Sequence, residues 1–231
     1  MQWQNHVNLL TGFHVYASSN GLIAQMTSAD QTALLHRAKT IQLKSGDNLS
    51  LLHPSENIFF PTRGSIALYA ASSTTPDIGL AVGLIGAEGA VGLQIAMGFG
   101  PGNLQLLVQS AGEACMVHGR DAQRLLQRRK QMLLDFSHYL WTVYQNIATL
   151  ASQGYTQDIK ARLAHWLLLS AERCAPDSLF LKHEEIAKML GVRRSSISIA
   201  AHDLKLMRYI SYNRGYIKLL NIDALKVLAS T

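Results

Sequence analysis

Between Gly64 and Gly119 the chain has no lysine or arginine, although it carries 21 of them in 231 residues. A stretch that long without a cation gives a buried phosphate no counter-charge and leaves only backbone N–H groups to hold it. Cysteine is scarce as well: Cys115 and Cys174 stand alone, without a CxxC partner. This argues against a disulfide framework, a zinc site or a cysteine-ligated cluster, and both residues read as small core hydrophobes. No run of eighteen apolar residues occurs, and the opening MQWQNHVNLL lacks the basic cap and apolar core of a secretory signal. The expected setting is the cytoplasm, with no membrane contact. HExxH, GxSxG, Walker A and dinucleotide-binding patterns are missing, and the carboxylates Asp47, Glu56, Asp77, Glu88 and Glu113 show no paired arrangement. Neither an enzyme nor a metal or cofactor site is expected.

What is present is a globular composition, 48% hydrophobic, enough for one large or two modest domains. From 40 to 118 short apolar runs alternate with Gly, Pro, Ser and Asp: Ile41–Leu43, Asn57–Phe60, Ile66–Ala71, Ile78–Ile85 and Leu104–Ser110. They predict strands of an antiparallel β-roll or jelly roll. Turns are expected at Ser45–Asp47, Ser72–Asp77 and Gly98–Gly102. Residues 1–39 read as mainly helical. Gly83, Gly86, Gly89 and Gly92 recur every third residue and look like turn and barrel-corner glycines, since no cationic helix start follows them.

Asp121 can cap a long helix running to about Ser152. Within it Leu133, Phe136, Leu140, Val143, Ile147 and Leu150 are spaced 3, 4, 3, 4 and 3. A helix lying on a sheet shows such a stripe, and so does the seam of a two-stranded coiled coil. The second reading predicts a homodimer through these six residues. A further helix is expected from Gln157 to Arg173, ending before Pro176.

Residues 183–200, HEEIAKMLGVRRSSISIA, predict two short helices crossing at a tight turn. Ile186 and Leu190 give the first an apolar face, Ala187 is small enough for close packing, and Gly191 supplies a left-handed exit. Val192, Ile197, Ala200, Ala201 and Leu204 then point inward, while Arg194, Ser195, Ser198, Ile199 and His202 share the outer face. Any amphipathic helical hairpin shows part of this pattern. Here two β-prone runs, Tyr209–Tyr212 and Tyr216–Leu220, follow around Asn213, Arg214 and Gly215, which makes a winged helix. From 182 to 218 there are eight Lys or Arg against three Asp or Glu, nearly all of the chain's net charge of +6. Basicity gathered on a groove-sized module predicts binding to double-stranded DNA.

The order roll, long helix, winged helix resembles the Crp/Fnr superfamily of bacterial transcription regulators. The resemblance covers about residues 20–220 and is most specific in IAKMLGVRRSSIS and GLIGAEGAVGLQIAMG, with NIFFPTRGSIALY like the strand pair before it. It implies an α+β chain divided into a β-roll sensor (1–119), a dimerisation helix (120–153) and a winged helix-turn-helix (154–231). It also implies a homodimeric regulator on a pseudo-palindromic site and a contact with RNA polymerase. By the resemblance Arg194 reads guanine, and Ser195 and Ile199 match later base-reading positions; Arg193, Ser196, Lys205 and Arg214 are expected on phosphates. The family's cyclic-nucleotide binders use a Glu after a Gly for the ribose and an Arg for the phosphate, but here Gly92 is followed by Leu93 and no such Arg follows. Neither cyclic AMP nor cyclic GMP is therefore expected to bind; Arg120 and Arg124 are the residues to suspect if one does. His6, His14, His36 and His53 read as surface or hydrogen-bonded side chains before haem ligands. The rival reading is a β-roll that binds a small molecule or protein and whose C-terminal module docks a protein.

Overall fold

The computed structural model describes residues 19–53, 56–71, 79–100, 102–174 and 179–230. Two short helices, α1 (Gly21–Gln25) and α2 (Ser28–Leu35), are capped by Asn20 and Thr27, whose side chains accept from Ile23 N and Asp30 N. Strands β1 (Ala38–Leu43), β2 (Asn57–Ala71), β3 (Gly79–Ile85) and β4 (Leu104–His118) form one antiparallel sheet in the order β1-β4-β2-β3. Two of the expected strands, Asn57–Phe60 and Ile66–Ala71, are one strand of 15 residues. Its register against β4 shifts three times between Pro61 and Ile66, and such shifts bend a strand. One-turn helices α3 (Leu49–Leu52) and α4 (Leu93–Ala96) pack beside it. The expected turn at Ser72–Asp77, Pro101, Pro176, His6 and His14 lie outside the described residues.

The long helix differs from its expected form. Helix α5 (Gly119–Leu126) is capped by His118, not Asp121, and is separate from α6 (Lys130–Thr156), which runs for 27 residues. The Asp121 carboxylate instead meets Arg124 at 3.3 Å in α5's first turn. Between the two helices Arg129 forms an ion pair with buried Asp30 at 2.5 Å, which ties the break to α2. Met132 and Phe136 are fully buried in a core with Ile58, Phe60 and Leu126, and Leu140 packs against it. Val143 and Ile147 pack on a second core with Phe59 and Leu68. Four residues of the expected seam, Phe136, Leu140, Val143 and Ile147, thus pack on the chain's own roll, whereas Leu133 is exposed and Leu150 belongs to neither core. A 3-4 spacing fits a sheet as well as a twin helix, and Phe136, wholly enclosed by the chain itself, is removed from any interface.

Helix α7 (Ile159–Cys174) opens the C-terminal domain, with Asp158 Oδ1 accepting from Ala161 N at 2.7 Å. It is followed by β5 (Leu179–Phe180), α8 (His183–Leu190), α9 (Arg194–Leu206), β6 (Ile210–Asn213), β7 (Tyr216–Leu219) and α10 (Ile222–Ala229). The small sheet runs β5-β7-β6. One core joins this domain to the roll, because Ala67, Tyr69, Ala81 and Leu84 pack with Leu163, Trp166, Leu190 and Leu204. Polar contacts fix the seam: Trp166 Nε1 donates to Gln109 Oε1 at 3.1 Å, and Gln109 Nε2 donates to Ser170 Oγ at 3.0 Å. Cys174 is half-buried in the same seam and contacts the Ser110 hydroxyl at 3.0 Å, so it is not a plain core hydrophobe, whereas Cys115 is one.

Candidate nucleic-acid interface

Helices α8 and α9 are held at a fixed crossing by what lies between them. Ile186, Ala187 and Leu190 of α8 meet Ile197, Ala200, Ala201 and Leu204 of α9, all buried, and the three alanines let the backbones approach closely. Gly191 ends α8 in the left-handed region (φ 63°, ψ 36°), which costs a glycine nothing and turns the chain directly into α9. Arg162 of α7 donates to the Leu190 carbonyl, covering the exposed C-terminus of α8. Lys160 pairs with Asp203 at 3.1 Å and pins the C-terminal turn of α9 to α7.

With its inner face fixed, α9 turns a second face outward. Arg193 precedes it, Arg194 begins it, and both are exposed, as are Ser195, His202 and Lys205. Ile199 is 65% exposed, an unusual state for an isoleucine and one that a thymine methyl could cover. Ser196 is half-buried at the side of the helix. Ser198 departs from its expected place: its hydroxyl lies 3.0 Å from His183 Nδ1 and donates to the Arg194 carbonyl, so it ties α9 to the start of α8. The His183 ring stacks on Tyr212 at 4.3 Å. Loss of hydration, then the nearby Arg194 charge, lowers the His183 pKa.

Arg214 stands at the tip of the wing, exposed, between β6 and β7. It has φ 49° and Gly215 φ 91°, the two positive values that a tight two-residue hairpin turn needs. An asparagine or aspartate would suit the first position better, so the arginine there is held at some conformational cost. Phe180 and Tyr216, 5.0 Å apart, make an exposed aromatic pair beside this turn. The structure therefore brings Arg193, Arg194, Ser195, Ile199, His202 and Lys205 onto one helix surface, with Arg214 on the wing. Strand β5 and helix α10, which complete the domain, went unanticipated, though Asn221 capping Ala224 N is a start signal for α10.

A second site lies in the roll. A cavity of about 500 Å³ opens between the sheet and α6, walled by Leu49, Phe59, Leu68, Val91, Leu104 and Val143 among others. Gly92 lies in this wall with φ 86°, and a Cβ there would sit 2.6 Å from the Asn57 carbonyl, so glycine is required. The polar wall residues are Ser50, His53, Asn57, Gln94, Asn103 and Tyr144, and among the described residues no Lys, Arg, Asp or Glu joins them. Every Lys and Arg of the chain lies within the described residues. Arg120 and Arg124 are engaged elsewhere, facing Glu56 at 3.7 Å and Asp121 at 3.3 Å. Among the described residues no three His, Cys, Asp or Glu side chains group as metal ligands, and no helix is long and apolar enough to cross a membrane.

A groove-sized helix presented by a helix-turn-helix, with a basic wing beside it, is the form of a DNA-binding winged helix. Comparison with known proteins places it more closely: residues 161–228 match the Crp-like helix-turn-helix domain, and the chain as a whole has the fold of Crp/Fnr-type transcriptional regulators. FixK2 from Bradyrhizobium japonicum superposes with a TM-score of 0.70 at 14% identity, over 84% of this chain and 98% of that one. A Crp/Fnr-family transcriptional regulator from Thermus thermophilus gives 0.65 at 21%, over 84% and 99%. The c-di-GMP responsive global regulator CLP of Xanthomonas campestris gives 0.66 at 13%, over 83% and 98%. No curated protein matches the sequence.

Proposed function

We propose that this regulator acts as a cytoplasmic homodimer on a pseudo-palindromic DNA site, independently of cyclic nucleotides and without catalysis. Arg194 is the principal base reader and Ile199 its apolar neighbour, while Arg193, Ser196, Lys205 and Arg214 position the domain on phosphates. The observation that carries this is the exposed outer face of α9, with a guanidinium at its start and a bare isoleucine one turn on. A helix N-terminus is where recognition helices meet base edges, and a guanidinium there can hold a guanine edge with two hydrogen bonds.

The dimer is supported by a face of α6 other than the one the sequence suggested. Leu134, Trp141, Ala148 and Tyr155 recur every seven residues on its solvent side, with Tyr144 stacked on Trp141 at 5.3 Å. Trp141 and Tyr144 are about 60% exposed, and Tyr155 is almost wholly so. Aromatic side chains left at a heptad interval on a 27-residue helix suit a parallel twin. Independence from cyclic nucleotides is supported by the uncharged cavity. A desolvated phosphate there would cost several kcal/mol with no cation to offset it, and α4, a single turn, offers only a weak dipole.

The test is equilibrium binding of the purified protein to a selected duplex and to a scrambled one. Arg194→Ala should cost about 1–3 kcal/mol on the selected duplex and relax preference at one base pair. Equal losses on both duplexes would remove Arg194 as a base reader. Binding that needs no duplex and ignores salt would favour docking of a protein instead.

A further inference from the structure

We propose that the cavity between the roll and α6 binds an uncharged, mainly apolar small molecule. A volume of about 500 Å³ is within the range of drug-sized ligand sites, and it lies where the two apolar cores that the sheet and α6 share come together. The wall sets the chemistry. Leu49, Phe59 and Val91 are almost fully buried around the cavity, and Leu104, Leu106 and Val143 are half-buried apolar residues beside them. Such a surface gains by covering apolar carbon. The few polar wall groups, an amide at Asn103, hydroxyls at Ser50 and Tyr144 and the His53 imidazole among them, can orient a ligand through one or two hydrogen bonds, and none of them carries a permanent charge.

The composition of the rest of the chain closes the alternative of an anionic ligand. No lysine or arginine lies outside the described residues, and none of the 21 lines the cavity, so neither of these permanent cations is held in reserve in another segment. Among the described residues no carboxylate lines it either, which leaves a cationic ligand equally unpaired. An ion entering this space would give up its hydration and receive neutral dipoles in return. Tyr144 belongs to the wall and also to the solvent face of α6, where it stacks on Trp141. A ligand would therefore touch the helix proposed to join two copies. Binding itself stands on the cavity alone; only its effect on DNA rests on the regulator reading.

A matched pair of dyes tests the charge argument on the full chain without DNA, so its outcome is independent of that reading. N-phenyl-1-naphthylamine is uncharged, and 8-anilino-1-naphthalenesulfonate is the same skeleton with a sulfonate. The neutral dye should bind one site per chain with enhanced fluorescence, about tenfold or more tighter than the sulfonate, and cyclic AMP should not displace it. Val143→Phe, which pushes a ring into the cavity from α6, should weaken the neutral dye at least about fivefold. Asn103→Arg adds a cation at an exposed wall position where folding is not at stake; it should tighten the sulfonate about fivefold and leave the neutral dye within about twofold. Melting curves accompany both variants. No binding of the neutral dye, equal affinity for the two dyes, displacement by cyclic AMP, or a neutral-dye affinity untouched in a folded Val143→Phe protein would each overturn the proposal.

Discussion

The winged helix from Lys182 to Lys218 gathers eight lysines and arginines, whereas the roll from Gly64 to Gly119, half as long again, has none. Both regions have apolar cores, so the contrast is not one of stability. It lies in what each surface can hold. The wing and α9 carry cations on long, exposed side chains that can meet phosphates while still solvated, and DNA affinity of that kind falls steeply with salt. The roll's cavity is walled by carbon and neutral polar groups, where a charge loses its water without compensation. One chain thus separates an electrostatic site from an apolar one.

The seam between them is the third part of the comparison, and the largest expected effect comes from the helix that spans it. Trp141→Asp places a carboxylate in the middle of the exposed aromatic face of α6 and should convert a dimer to a monomer in sedimentation, with the fold of the single chain kept. A wild type that sediments as a monomer at micromolar concentration while binding a palindrome tightly would remove the dimer from the account. Gln109→Leu cuts the polar link of Trp166 across the seam and leaves Trp166 Nε1 and Ser170 Oγ without that partner. Its cost in thermal or chemical unfolding should be about 1–3 kcal/mol. If it proves neutral, the apolar core alone joins the two regions.

Smaller effects sharpen the electrostatic half. Arg214→Ala should weaken binding to all duplexes alike and reduce the slope of log affinity against log salt by about 0.9. A loss confined to one sequence would make Arg214 a reader of bases. Protons give the smallest effect. Burial lowers the pKa of His165, and burial together with the Arg194 charge lowers that of His183, so the unfolded chain takes up these protons first as pH falls. The stability tied to their neutral forms is complete above the ordinary histidine value of about 6.5 and is lost as pH drops through the folded-state values. Melting temperature should decline from pH 7.5 to 5.5, and His183→Gln together with His165→Gln should flatten the decline. An unchanged slope in the double variant would assign it to other groups.

The helix-turn-helix was legible because its signals are local: Ile186, Leu190, Ile197 and Leu204 at helical spacing, with Gly191 at the turn. The missing cations of the roll could likewise be counted directly. What escaped reading depends on partners distant in sequence. The stripe from Phe136 to Leu150 satisfies a sheet and a twin helix equally, and its contacts with Phe59 and Phe60 follow only from the placement of β2 beneath it. The alternative face could have been found from Leu134, Trp141, Ala148 and Tyr155, seven apart, had aromatic residues been weighed with the aliphatic ones. Ser198 looks solvent-facing on a helical wheel, and His183, fifteen residues earlier, draws it inward. The break before Lys130 has no glycine or proline to announce it; the Arg129 to Asp30 ion pair marks it.

The measurement that bears most directly on the central claim is a map of genomic DNA fragments captured by the purified protein at physiological salt, beside the same map for Arg194→Ala. Fragments enriched by the wild type should share an inverted repeat with half-sites about one helical turn apart, and the variant should lose preference at one position of each half-site while still retaining DNA. No enrichment over input, or an identical pattern from the variant, would contradict the account of α9 as the element that reads sequence.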